Sequence, residues 1–248
     1  PFYALDTRWA LCAFFFNDTA TTEIYTNGEA IGQFRHEQSA SEFFGGWSKG
    51  LVDGWVQRYS VGVAYQDDIY RVDPAYPAPA QLPADQTLVY PFVRYELIED
   101  NYVKVFNREK IGRPEYFILG WNASVQIGRS STGLGATRDV WLYSGAVSKG
   151  TRFDHGGDLP ANLWFSGQNA DGRGERQFLG AAARYYLPHG SRNVFYVSAS
   201  ADAVRNPYVS DQLLLGGDNG LRGYPLRYQS GNQRALFSLE ERVYTDWY

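Results

Sequence analysis

Hydrophobic and polar residues alternate with a period of two along most of the chain. Phe117, Leu119, Trp121, Ala123, Val125 and Ile127 share one parity, against Ile118, Gly120, Asn122, Ser124 and Gln126. Trp55, Tyr59, Val61, Val63 and Tyr65 oppose Arg58, Ser60, Gly62 and Ala64. Leu179, Ala181, Ala183, Tyr185 and Leu187 oppose Arg176, Gly180, Ala182 and Arg184, and Phe195, Val197, Ala199, Ala201 and Ala203 oppose Tyr196, Ser198, Ser200 and Asp202. A period of two is that of a β-strand, whose successive side chains point to opposite sides. It predicts strands near 3–14, 28–36, 41–49, 54–66, 87–98, 116–128, 138–148, 161–169, 175–187, 193–203 and 233–244, about eleven in all, and no helix longer than a turn. The stretch 101–106 either lengthens a strand or starts its own. Several segments exceed the usual strand of about 5–6 residues. Short connections such as 188–192 alternate with long ones, the Pro-rich 67–86 and 205–232.

A soluble barrel turns its apolar set inward and an outer-membrane barrel turns it to lipid, and alternation is common to both. No apolar run approaches the ~18 residues of a membrane-spanning helix, so a membrane protein with this sequence would be a closed barrel. Among 248 residues, 17% are aromatic and 20% charged, with 26 glycines. That suits a β-rich chain, including a barrel with aromatic girdles. A net charge of -4 argues against a nucleic-acid partner, which wants a basic face. The one cysteine, Cys12, leaves no intramolecular disulfide and no Cys-built metal site.

The connection over 205–232 is the most unusual stretch. Gly216, Gly217, Gly220, Gly223 and the Asp218-Asn219 pair are turn formers. Yet Leu213, Leu214, Leu215, Leu221, Tyr224 and Tyr228 lie among them. So apolar a loop is predicted to fold inward and pack, carrying Arg222 with it. A buried, unpaired arginine costs several kcal/mol, so a carboxylate partner is expected. Glu240 shares the inner parity of Ser238 and Arg242 on the next strand, whereas Glu241 has the opposite parity.

Leu221-Arg222-Gly223-Tyr224, led in by Gly216-Gly217 and followed by the Glu240 strand, resembles the signature loop of an outer-membrane superfamily. Its members are β-barrels of the BamA/TpsB type (bacterial surface antigen barrel domain), which insert other outer-membrane proteins or secrete a partner protein. The resemblance covers most of the chain as strand pattern and is specific over 210–244. It implies an all-β fold: a partial antiparallel transmembrane β-barrel, about eleven of roughly sixteen strands, with the long loop folded inward. It also implies the bacterial outer membrane as location, outer-membrane lipid around the barrel, and a polypeptide substrate, either secreted or nascent. No enzymatic activity and no cofactor follow from it. The family's periplasmic domains, and a later strand whose Asp also grips the loop arginine, have no counterpart within these residues. The implied site is Gly216, Gly217, Leu221, Arg222, Gly223 and Tyr224, with Glu240 as partner. Two other readings stay open: a passive porin or receptor-type barrel constricted by the loop, and a soluble β-barrel or sandwich that binds a ligand.

Parity on these terms expects Leu119, Trp121, Val125, Leu179, Val197 and Ala199 to face lipid, and Asn122, Ser124, Arg184 and Ser200 the interior. Arg58, Arg176, Arg184, Asp202, Glu240 and Arg242 fall on the polar face, where charges are expected to pair. Gly46-Trp47-Ser48-Lys49-Gly50 matches the hydrolase elbow G-x-S-x-G, but that motif needs a following helix, and 51–65 reads as turn and strand. His36, His155 and His189 stand at unrelated spacings. Asp154 to Asp158 (DHGGD) and Asp218-Asn219 read as solvated turns before they read as cation sites. Residues 17–26 (NDTATTEIYT), after three phenylalanines, resemble the translation of a common DNA-sequencing adaptor; on that reading roughly 14–26 is foreign sequence in place of a native turn. Its threonine alternation still suits a strand.

Overall fold

The computed structural model describes residues 4–26, 28–79, 81–190 and 192–245. Ten strands form one antiparallel sheet in chain order: β1 (Trp9–Thr26), β2 (Glu29–Val52), β3 (Trp55–Val72), β4 (Gln86–Glu99), β7 (Trp121–Ser130), β8 (Val140–Arg152), β9 (Asp158–Ala170), β10 (Arg173–His189), β11 (Asn193–Arg205) and β14 (Gln233–Val243). Two short hairpins stand outside it: β5 (Tyr102–Phe106) with β6 (Pro114–Ile118), and β12 (Leu213–Leu215) with β13 (Gln229–Gly231). The protein is all-β, and among the described residues its main sheet is open, with β1 and β14 as its edges.

Two of the tightest turns show how sequence sets register. Asp53-Gly54 and Asp171-Gly172 each place two successive residues at positive φ, the two-residue hairpin geometry that matches strand twist.

The main sheet has ten strands where the periodicity predicts about eleven. The segments near 28–36 and 41–49 are one strand, β2. Its polar middle looks like a turn, yet Glu37 pairs with Thr19 of β1 and Ile69 of β3, so the ladder runs on without a break. The first strand begins at Trp9 and takes in the adaptor-like segment, whose residues 17–26 pair along β2. The predicted strand at 116–128 divides between β6 and β7. Leu119 lies in the break, so it has no place on the outward face, and Phe117 packs on Tyr186 instead. The stretch 101–106 contains a separate strand, β5.

The sheet curls. Arg94 of β4 reaches past β3 to Glu42 of β2 at 2.7 Å. The connection after β11 touches β1 at the far edge, where Arg227 meets Glu23 at 2.6 Å. The two faces differ in chemistry. On the convex face Val61, Val63, Trp121, Val125, Leu179, Phe237 and Leu239 are exposed, Val61 at 64% and Phe237 at 67%. On the concave face Ser48, Ser60, Asp68, Ser130, Asp158 and Gln168 are buried, beside apolar clusters of Phe44 with Phe92, Leu88 with Val140, and Tyr186 with Val194. Trp121, Val125, Leu179 and Ala199 are exposed as parity expects, Val197 is half-buried, and Asn122, Ser124 and Ser200 are half-buried on the other face. Arg184 shares the concave parity but keeps an exposed side chain.

One end of the sheet carries the turn at 53–54, the connection 100–120, the turn 153–157 and the passage from β10 to β11. The other carries the turns near 28 and at 171–172 and the loops 73–85, 131–139 and 206–232. Long loops therefore favour one end, with 100–120 as the exception.

Candidate functional site

The site is built around the loop between β11 and β14. Its base is the β12–β13 ladder, in which Leu213, Leu214 and Leu215 pair with Gly231, Ser230 and Gln229. Beyond it the two arms cross closely. A Cβ on Gly216 would lie 2.3 Å from the Arg227 nitrogen, so only glycine fits there. Asn219 locks the first arm: its side chain accepts from the Gly216 N–H at 2.6 Å and donates to the Leu214 carbonyl at 2.6 Å. Leu221, Arg222, Gly223 and Tyr224 form the tip. The Tyr224 N–H donates to the Leu221 carbonyl at 3.3 Å, and Gly223 sits at φ 87°. This is a β-turn that needs positive φ at its third residue, hence glycine.

The tip runs down the concave side of β14. A Cβ on Gly220 would meet Leu236 at 2.3 Å, and the Arg222 guanidinium lies 4.0 Å from Glu240. Leu236 and Glu240 are four residues apart, about 13 Å along the strand. The loop thus descends from its own rim toward the opposite mouth.

Arg222 is not packed among the loop's apolar side chains. Its own side chain is 90% exposed, Tyr224 is exposed and Leu221 is half-buried. The gap between β14 and β1 leaves that flank of the loop uncovered. Glu240 is held more closely by Arg242, at 2.9 Å, than by Arg222.

The firmly paired arginines are others, and sequence reasoning missed the first two. Arg227 meets Glu23 at 2.6 Å and the Tyr25 hydroxyl at 2.8 Å, with its guanidinium over the Tyr25 ring. The hydrogen bond to Tyr25, ahead of the charge of Glu23, raises the Arg227 pKa above its ordinary value. The Tyr25 hydroxyl itself bonds Glu23. Beside them the Gln212 amide accepts from the Tyr25 N–H at 3.0 Å and donates to its carbonyl at 3.2 Å, standing in for a neighbouring strand on the β1 edge. Arg234 holds Asp202 at 2.5 Å and donates to the Leu214 carbonyl at 3.0 Å. Arg176 grips Asp211 at two points, 2.7 and 2.8 Å, as a guanidinium fork does with a carboxylate. Burial raises the pKa of Tyr208, whose neutral hydroxyl lies between Arg138, Gln86 and Glu175. The loop is therefore tied to β10 and β14 at one rim, and its reach across the open seam to β1 falls on Glu23 and Tyr25, within the adaptor-like segment 14–26.

Replacing Arg227 by alanine is expected to free the loop from β1. Hydrogen exchange over 213–231 should accelerate, while overall stability falls by only about 0.5–1 kcal/mol because the pair is partly solvated. Unchanged exchange would mean that Gln212 alone secures the strap.

At the opposite mouth a second polar cluster forms, which the sequence pattern does not reveal. The turn between β5 and β6 folds onto the concave face. Arg108 donates to Asp158 at 2.9 and 3.1 Å, and Arg152 donates to the same carboxylate at 2.7 and 3.1 Å. Asp158 is fully buried. It opens β9 and is no solvated turn residue. The Arg108 carbonyl accepts from Arg242 at 2.9 Å and from the Tyr244 hydroxyl at 3.2 Å. Glu109 accepts from the Tyr186 hydroxyl, with Arg184 at 3.6 Å. Arg176, Arg184, Asp202, Glu240 and Arg242 of the polar face thus each have a charged partner.

The remaining motifs do not gather. Ser48 is buried inside β2, with strand on both sides, where a nucleophile elbow has no helix to follow it. His36 lies on Asp68, His155 on the Tyr185 hydroxyl and His189 on Glu241, at three separate places. No family model matches the chain, and no curated protein matches it.

Proposed function

We propose that the chain is part of an outer-membrane β-barrel that translocates polypeptides or assembles outer-membrane proteins. The observation that carries the membrane half of this reading is the apolar belt on the convex face, bounded on both sides by interfacial pairs. Along β8 the belt runs from Trp141 to Lys149. Arg129 lies over the Trp141 ring at one rim, and the Lys149 amine lies over Trp121 at the other. Nine residues make about 27 Å of strand, which a tilt of 35–45° projects to about 19–22 Å, a few ångströms short of the ~25 Å apolar band of such barrels. Trp9, Trp47, Tyr59 and Tyr95 stand in one register row that continues through Val125, so they add aromatic surface to the belt itself. Past the belt, β2 and β3 continue outward with Arg35, Glu37, Asp67 and Arg71, polar residues suited to water.

The translocating half rests on the loop. Leu221-Arg222-Gly223-Tyr224 turns at the bottom of an inward descent and brings Arg222 to Glu240, the pair that the family resemblance implies. In this reading the barrel does no covalent chemistry. The loop braces the lumen and shifts as a polypeptide passes. The exposure of Arg222 favours a second reading, a passive barrel in which the loop only narrows the channel.

Arg222→Ala separates the two. A translocator should lose most of its polypeptide transport or insertion activity in reconstituted vesicles while the barrel stays inserted. Arg222→Lys should restore only part, since a point charge cannot reproduce the guanidinium fork. If Arg222→Ala changes ion conductance and wild-type protein moves no polypeptide, the passive reading stands.

A further inference from the structure

The β5–β6 hairpin is the one long connection at the end of the sheet where the other turns are short. It pairs with no strand of the main sheet. Its turn nevertheless reaches across from the β4–β7 side to β9, β10 and β14. A solvated connection would have no reason to bury a guanidinium, yet Arg108 is buried against a fully buried Asp158. The turn is also internally braced: the Glu115 carboxylate accepts from the backbone N–H groups of Arg108, Glu109 and Lys110 at 3.0–3.2 Å.

We propose that this hairpin is a plug, folded into the mouth opposite the long loop and latched by Asp158. Its contact with β14 joins it to the Arg222 loop. Arg242 donates to the hairpin at the Arg108 carbonyl and, through Nε, holds Glu240, which faces Arg222. One side chain therefore touches both inward-folded segments, directly on one side and through Glu240 on the other. Moving the Arg222 tip takes away the more distant of the two cations on Glu240, and Glu240 sets the orientation in which Arg242 reaches the hairpin. A polypeptide entering from the hairpin side meets the latch first, so the plug is the element that it must displace.

The gating role rests on the membrane reading above, whereas the latch does not, and two measurements separate them. The first is hydrogen exchange on the folded full chain. Asp158→Asn should speed exchange of 102–118 at least roughly tenfold, and Arg242→Ala should speed it in both 102–118 and 216–224. Unchanged exchange over 102–118 in Asp158→Asn would overturn the latch, and unchanged 216–224 in Arg242→Ala would overturn the link. The second is single-channel conductance, in planar bilayers, of the closed barrel of which the proposed function makes this chain a part. A variant with 103–117 replaced by a short Gly-Ser turn leaves every strand of the main sheet intact and should raise conductance roughly twofold or more. Equal conductance with and without the hairpin would overturn the plug. Faster exchange in Asp158→Asn, with neither protein conducting, would support the latch and overturn the barrel reading on which the gate rests.

Discussion

Val125→Arg should prevent the sheet from assembling in a bilayer. Val125 is exposed on the convex face and pairs with Tyr95 and with Gly145. Gly145 is midway along the belt between Trp141 and Lys149, so Val125 stands at its centre. An arginine at the midplane of a membrane barrel costs about 2–4 kcal/mol. Ser124→Arg, one residue away on the concave face, should be tolerated because its side chain enters a polar interior. Folding yield into lipid vesicles, read by protease protection, checks both. In a water-soluble protein the first substitution would be nearly neutral, since exposed surface positions usually change stability by within about 0.5 kcal/mol.

Asp158→Ala should cost about 3–5 kcal/mol in unfolding free energy, because it strands Arg108 as an uncompensated buried charge. The loss has two parts: the bonds from Arg108 and those from Arg152, which is partly exposed and can turn to water. Asp154→Ala, four residues earlier at an exposed turn position, should change stability by less than about 0.5 kcal/mol. Urea titration of the folded protein in detergent reports both. If the two variants are equally mild, the hairpin is only lightly held and the buried pair contributes little.

The sheet was legible in the sequence because alternation records which face each residue takes. Where the record blurs, the reading slipped. The polar middle of β2 carries no period-two signal on either face, and only its two neighbours hold it extended. At 119–120 a real break hides inside the run, since Leu119 keeps the parity of Phe117 and Trp121 as a strand residue would. The nearness of Arg222 to Glu240 followed from the parity of Glu240 with Ser238 and Arg242. The closeness of that contact did not, because packing of the loop depends on what covers the gap between β14 and β1. Arg227 and Gln212 could not be read as straps to β1, for nothing local says that the first and last strands approach one another. Asp158 was the largest miss. Its Gly-rich setting is turn-like, and its partner Arg108 stands fifty residues away on a hairpin whose direction no pattern encodes.

The central claim is that the convex face meets lipid. Spin labels on single cysteines, in a Cys12→Ser background, test it in vesicles holding the folded protein. Labels at Val61, Val125, Leu179 and Phe237 should be relaxed by oxygen dissolved in the bilayer and shielded from a water-soluble nickel chelate, with depth greatest near Val125. Labels at Asn122, Ser124 and Ser200 should show the reverse. Nickel-accessible labels on both faces, or a chain that folds in buffer without lipid or detergent, would contradict the account.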